Sequence, residues 1–206
     1  FVLGKQLPQV KGKFLKIRYL DLTEDGYPNR CLKDIINFDL NSKSFLDVPA
    51  SSIVYSLSED GIETISNSVQ VNDFAEGREG MATADNERFI RHWFELDFSK
   101  ILFDCSDNKQ AFESGKKWFP YIKGGEFKKW FGNLGLVVNW KNDGQEIRQN
   151  INPITGKVRS HNYNGEYAFL EGMTWTSMSS KGPSARLVPP GYMFDAKGPM
   201  LYCDKE

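Results

Sequence analysis

Between residues 88 and 98 the hydrophobic pattern takes a period of two, and this constrains the fold more than any other feature. Ile90, His92, Phe94, Leu96 and Phe98 alternate with Phe89, Arg91, Trp93, Glu95 and Asp97. Alternation of this kind is the mark of a strand with one face turned inward. Shorter apolar runs at residues 118–123, 136–140, 173–176, 185–188 and 192–194 read as further strands. Helical spacing is rarer. Ser58-Glu59-Asp60 supplies an N-cap followed by acids, Leu57 and Ile62 are placed as a hydrophobic staple, and Ile62, Ile65 and Val69 recur at helical intervals, so a short helix is expected over 58–67 despite Gly61. Asn142-Asp143-Gly144-Gln145 has capping-box spacing and is expected to open a second helix through Arg148. Many short strands with few helices define an α+β, sheet-rich domain.

Residues 1–50 differ in texture. Phe14-Leu15, Ile35-Ile36 and Phe38-Asp39-Leu40 are separated by the turn signal Asp25-Gly26-Tyr27-Pro28, which predicts an irregular, partly strand-like N-terminal subregion ahead of a main domain at 51–206. At 206 residues the chain can bury a core without disulfide or metal staples. No apolar run approaches the roughly 18 residues of a membrane span, so no membrane partner is expected. Phe1-Val2-Leu3-Gly4-Lys5 has neither a starting Met nor the layout of a signal peptide, and the chain is expected to be a piece of a longer one. Cys31, Cys105 and Cys203 are odd in number and widely spaced, and neither His92 nor His161 has a ligand neighbour. A reducing, cytoplasmic setting and no metal site are expected.

Charge is segregated. Residues 1–108 carry 12 basic and 18 acidic side chains, whereas residues 109–160 carry 10 and 4. The basic block suits a polyanion-facing surface. Within it cations and aromatics interleave, from Lys116-Lys117-Trp118-Phe119-Pro120-Tyr121-Ile122-Lys123 to Phe127-Lys128-Lys129-Trp130-Phe131. Lysines can neutralise phosphates and aromatics can stack on bases, although large aromatics more often fill cores, and at least half of Trp118, Tyr121, Trp130 and Trp140 are expected to do so. The loop Gly80-Met81-Ala82-Thr83-Ala84-Asp85-Asn86-Glu87-Arg88 offers amide and guanidinium groups that match base edges, or that simply stabilise a turn. Nucleotide-binding glycine loops, a nucleophile elbow and a zinc-protease motif are absent from the sequence. Glu126-Phe127-Lys128 has the spacing of metal-dependent nucleases, but about one such triplet is expected by chance.

The loop at 80–91, the run from Lys117 to Asn133, and Val137-Val138-Asn139-Trp140-Lys141-Asn142-Asp143-Gly144 together resemble the C-terminal specificity region of adenine-specific DNA methyltransferases of BREX phage-exclusion systems and related restriction-modification enzymes. Gly172-Met173-Thr174-Trp175, Ser184-Ala185-Arg186 and Gly191-Tyr192-Met193-Phe194-Asp195 continue the similarity in order. The family loop reads G-L-x-T-G-D-N. Met81 and Ala84 depart from it, and Ala84 in place of Gly argues against a left-handed turn. The catalytic N-P-P-Y tetrapeptide is missing, since Asn152-Pro153-Ile154-Thr155 lacks the second proline and the aromatic, and no S-adenosylmethionine-binding glycine motif is present.

The resemblance implies a recognition domain for double-stranded DNA. S-adenosylmethionine and the adenine-methylating centre would belong to a catalytic domain elsewhere in the same polypeptide, and no catalysis is expected of this region alone. The expected DNA-binding side chains are Thr83, Asp85, Asn86, Arg88, Lys117, Tyr121, Lys123, Lys128, Lys129, Lys141, Ser184 and Arg186. The rival readings are a structural or protein-interaction segment of the same enzyme and a nuclease using Glu126 and Lys128.

Overall fold

A computed structural model describes residues 12–16, 23–25, 36–48, 51–177, 181–182 and 184–203. Gly26, Tyr27 and Pro28 of the expected turn, and Cys31, lie outside the described residues. The chain divides into two compact units, Phe1–Val69 and Gln70–Glu206.

In the first unit, strands β1 (Gly12–Lys16) and β2 (Ile36–Leu40) pair antiparallel, with Phe14 opposite Phe38. Helix α1 (Glu59–Asn67) begins where the sequence places it. The Ser58 hydroxyl accepts the Gly61 N–H at 3.1 Å, Glu59 and Asp60 occupy the first turn, and Ile62 is buried. The cap satisfies one of the four N–H groups that a helix start leaves without partners.

The second unit is sheet-rich with short helices, as an α+β fold should be. It contains β3 (Ala75–Arg78), β4 (Met81–Ala82), α2 (Asn86–Phe89), β5 (Ile90–His92), α3 (Asn108–Glu113), β6 (Trp118–Ile122), β7 (Leu136–Asn139), α4 (Lys141–Arg148), β8 (His161–Asn162), β9 (Gly172–Thr174), β10 (Arg186–Val188), β11 (Met193–Phe194) and β12 (Met200–Cys203). One mixed sheet runs β11-β6-β7-β5, with β11 parallel to β6, and an antiparallel sheet runs β10-β9-β12-β3. Every residue of β6 is buried. Its alternation sends Phe119 and Tyr121 into the main core, with Phe89, Val138, Trp140, Ile147 and Met193, while Ile122 joins Val188, Phe194, Met200 and Tyr202. A strand covered on both faces reads as a continuous apolar run, which is why 118–122 is identifiable from sequence. The expected strands at 136–140, 173–176, 185–188 and 192–194 also form, each within one or two residues of the expected bounds.

The expected strand at 88–98 shrinks to the three residues of β5. Asp85 caps the turn before it by accepting the Arg88 N–H at 3.1 Å, and Glu95 accepts the His92 N–H at 3.0 Å to open a 3-10 turn after it. Local side-chain bonds to the backbone thus outcompete the ladder. Burial does not follow the alternation: the neighbours Phe89 and Ile90 are both buried, whereas Phe94 and Phe98 are 64 % and 59 % exposed.

Helix α4 also departs from expectation. Asn142, Asp143 and Gly144 adopt φ of 51°, 58° and 69°, so Asn142 does not cap in the expected way, and its side-chain amide reaches only Gln145 Oε1 at 3.4 Å. Gly144 is required here. A Cβ at this position would lie 2.2 Å from the Trp140 ring.

Candidate nucleic-acid interface

The loop between β4 and β5 is fixed from beneath by the core. Tyr121, inside β6, donates its phenolic proton to Asp195 Oδ2 at 2.7 Å, and the carboxylate is itself 3 % exposed. Asp195 Oδ1 accepts the Lys197 N–H at 2.7 Å, and Lys123 Nζ stands 3.2 Å from Oδ2. Lys123 in turn donates to Asn86 Oδ1 at 3.0 Å, and the Thr83 hydroxyl donates to the same oxygen at 2.8 Å. Asn150 holds the loop from another side by donating to the Thr83 carbonyl at 3.3 Å. A chain of polar contacts therefore runs from a buried phenol to an exposed amide. Burial, the Asp195 charge and the hydrogen bond to it all push the Tyr121 phenol well above its ordinary pKa, so it remains a donor.

Ala84 adopts φ +57°, so the left-handed turn that its identity argued against does form. The surrounding bonds impose it. Thr83 is buried and bonded on one side, Asp85 caps α2 on the other, and Ala84 is the exposed residue between them.

Three adjoining clefts meet at Lys123. One of about 720 Å³ runs along Asn86, Arg91, His92 and Leu136; another of about 280 Å³ lies over Thr83, Asn86 and Asp195; the third, about 540 Å³, lies over Gly124, Gly125, Thr176 and Lys197. Arg88 and Lys117 both approach Glu146, at 3.9 and 3.7 Å, through half-exposed pairs that are worth little in water and are readily exchanged.

The expected site residues separate into two groups. Asn86, Arg88, Lys128, Lys129 and Lys141 are exposed, and Asp85, Lys117 and Lys123 are half-buried. Thr83, Tyr121, Ser184 and Arg186 are buried, at 1 %, 0 %, 1 % and 0 % exposure. These four support the surface from behind rather than facing solvent. Arg186 donates through Nη1 to the Ser184 carbonyl at 3.0 Å and to the Ser184 and Thr176 hydroxyls at 3.4 Å, and burial lowers its pKa. Its Nε and Nη2 have no partner among the described residues. Trp118, Tyr121 and Trp140 are core, as expected of at least half of the large aromatics in the basic block, and Trp130 is 74 % exposed. Sequence reasoning singled out neither Asp195 nor Lys197 as part of a site. The one signal was Asp195 closing an otherwise apolar strand, where a lone carboxylate must find partners.

Among the described residues no group of three or more His, Cys, Asp or Glu side chains is placed to hold a metal ion, and no helix is long and apolar enough to cross a membrane. The arrangement is that of a sheet-rich surface domain presenting an amide, a guanidinium and lysines around a groove. No family model matches the chain. Its sequence is similar to adenine-specific methyltransferases: 44 % identical over 156 residues to the adenine-specific methyltransferase PglX of Lacticaseibacillus casei (strain Zhang), covering 75 % of this chain and 13 % of that protein. It is 37 % identical over 116 residues to the adenine-specific methyltransferase BrxX of Escherichia coli O9:H4 (strain HS), covering 56 % of this chain and 8 % of that protein. The chain thus corresponds to a small part of the length of either relative.

Proposed function

We propose that the region at 51–206, and within it the unit Gln70–Glu206, is the target-recognition domain of an adenine-specific DNA methyltransferase. In this reading it docks double-stranded DNA in the cytoplasm for a catalytic domain of the same polypeptide, which would bind S-adenosylmethionine. The observation that carries the reading is the exposed Asn86 amide, which lines two of the three clefts that meet at Lys123, within a segment similar to PglX. Lys128, Lys129 and Lys141 would engage phosphates, and Asn86 and Arg88 would read base edges.

The hydrogen bonding around Asn86 refines its role. Thr83 and Lys123 both donate to Oδ1, so the amide as held offers its Nδ2 protons outward. A donor in the major groove is matched by purine N7, guanine O6 or thymine O4. Bidentate adenine reading needs Oδ1 as an acceptor as well and therefore requires Lys123 to withdraw.

Salt dependence of binding tests the reading. The 206-residue chain, titrated with a labelled duplex at several salt concentrations, should lose affinity as salt rises. Replacing Lys128 and Lys129 by Ala should flatten the log–log slope by about 0.9 for each phosphate no longer neutralised, while Asn86→Ala should narrow the gap between cognate and substituted duplexes by about 1–3 kcal/mol. An unchanged slope and unchanged discrimination would reject it. The protein-interaction alternative has one observation in its favour, the exposed cluster of Trp93, Phe94 and Phe98, whose rings meet edge to face at 5.7 and 5.5 Å.

A further inference from the structure

The loop joining β6 to β7 carries an aromatic side chain in a conformation that bulky residues avoid. Trp130 has φ +71°, in the left-handed region, and its side chain is 74 % exposed. The backbone around it is not loose. The Trp130 N–H donates to the Ala185 carbonyl at 2.8 Å, and its own carbonyl accepts the Leu187 N–H at 3.0 Å, so the residue is clamped on both sides to the edge of β10. Asn133, also at positive φ, closes the loop by donating from Nδ2 to the Glu126 carbonyl at 3.0 Å.

A strained backbone that is doubly fastened holds its side chain in one direction, and here that direction is outward. The indole gains little from burial and takes part in no ring contact among the described residues. Its neighbours are Lys128, Lys129 and Phe131, all exposed, with Phe131 at 64 %. Lysines are depleted from the centres of protein interfaces, whereas an aromatic flanked by cations suits a surface with alternating phosphates and bases. Strain of this kind concentrates where a side chain must be presented in advance of its ligand.

We propose that Trp130 is a stacking wedge for duplex DNA, its indole entering against a base step while Lys128 and Lys129 hold the flanking phosphates. The proposal rests on the DNA-binding reading and adds a mode of engagement to it. Strain at an exposed indole is explained by a ligand that must be unstacked, since a preset ring loses little freedom when it inserts.

The test uses the 206-residue chain and duplexes carrying 2-aminopurine at successive positions, with Trp130→Ala, Trp130→Phe and Trp130→Gly variants. Binding by the unsubstituted protein should raise 2-aminopurine emission at one step and quench indole fluorescence. Trp130→Ala and Trp130→Gly should lose that local signal and bind about 5- to 150-fold more weakly, while Trp130→Phe should keep most of both. Glycine accepts positive φ, so Trp130→Gly retains the fold and separates removal of the stacking ring from disruption of the loop. Duplex binding by the unsubstituted protein with affinity and 2-aminopurine response unchanged in Trp130→Gly would overturn the wedge and leave the DNA-binding reading standing. Absence of any duplex binding by the unsubstituted protein would overturn both.

Discussion

Replacing Tyr121 by Phe removes one oxygen from the middle of the second unit and leaves the ring in place. The deleted group donates to Asp195 Oδ2 at 2.7 Å. The Met81 carbonyl, 3.0 Å from the phenol, keeps the Ala196 N–H as a donor, and Asp195 keeps Lys123 and the Lys197 N–H. The change is therefore close to the loss of a single hydrogen bond to a charged acceptor, worth about 1.5–3 kcal/mol. At roughly 2–4 °C per kcal/mol for a protein of this size, Tm should fall by about 3–12 °C. Circular dichroism melts at neutral pH, paired with urea titrations, read this directly.

A second arm follows the pH. Burial, the Asp195 charge and the hydrogen bond to it raise the Tyr121 pKa in the folded state well above its ordinary value of 10.0. Above about pH 10 the unfolded chain loses a proton that the folded chain keeps, so stability falls as pH rises, by up to about 1.4 kcal/mol per pH unit. The contribution is complete below that pH. Tyr121→Phe lacks it, so the stability gap between the two proteins should shrink above pH 10. Tyr192 and Tyr202 are also raised by burial and leave a weaker alkaline decline in the variant. A Tm difference under about 1 °C at neutral pH, or a gap that stays constant into the alkaline range, would refute the assignment of Tyr121 as a buried donor to a carboxylate.

Two further outcomes are expected. Ala84→Gly should stabilise the protein by about 0.5–1 kcal/mol, because relief of the left-handed conformation at φ +57° exceeds the added freedom of the unfolded chain; a lower Tm would show that the turn is not strained. Arg186→Met should be neutral or stabilising, by at most about 1–4 kcal/mol, since the buried guanidinium has no carboxylate partner and two of its nitrogens lack acceptors among the described residues. It should also leave duplex discrimination unchanged, and relaxed discrimination in the binding assay would mean that Arg186 leaves its buried position to read a base.

What the sequence disclosed depended on how many faces of a segment are covered. β6 and β7 are enclosed, so their apolar runs were unambiguous, and the Ser58 cap needs only residues adjacent in the chain. Residues 88–98 misled because alternation is a statement about one partner sheet. Here the segment passes from a helical turn to three ladder residues and then to 3-10 turns, each started by a neighbouring carboxylate. Trp118, Trp130 and Trp140 are chemically alike. Only the pairing of β6 with β7 buries the first and last while the connecting loop leaves the middle one outside. Ala84 carries no local signal for positive φ; the carbonyl before it, that of Thr83, is held by Asn150, 67 positions on from Thr83 in sequence.

The candidate surface is consequently not separable from the core behind it. Asp195 is too buried to stand alone as a charge, and its partners are divided between Tyr121 on the inside and Lys123 on the outside. Lys123 is shared in the same way between Asp195 and the exposed Asn86, so the ammonium is held between a charge it neutralises and an amide it orients. A phosphate drawn to Lys123 would compete with Asp195 for that ammonium, and its withdrawal would free Asn86 Oδ1 to accept from a base. In the DNA-binding reading proposed above, backbone binding and base reading would thereby be coupled through one side chain, and the amide would gain its second hydrogen-bonding function only after the duplex had engaged the lysine.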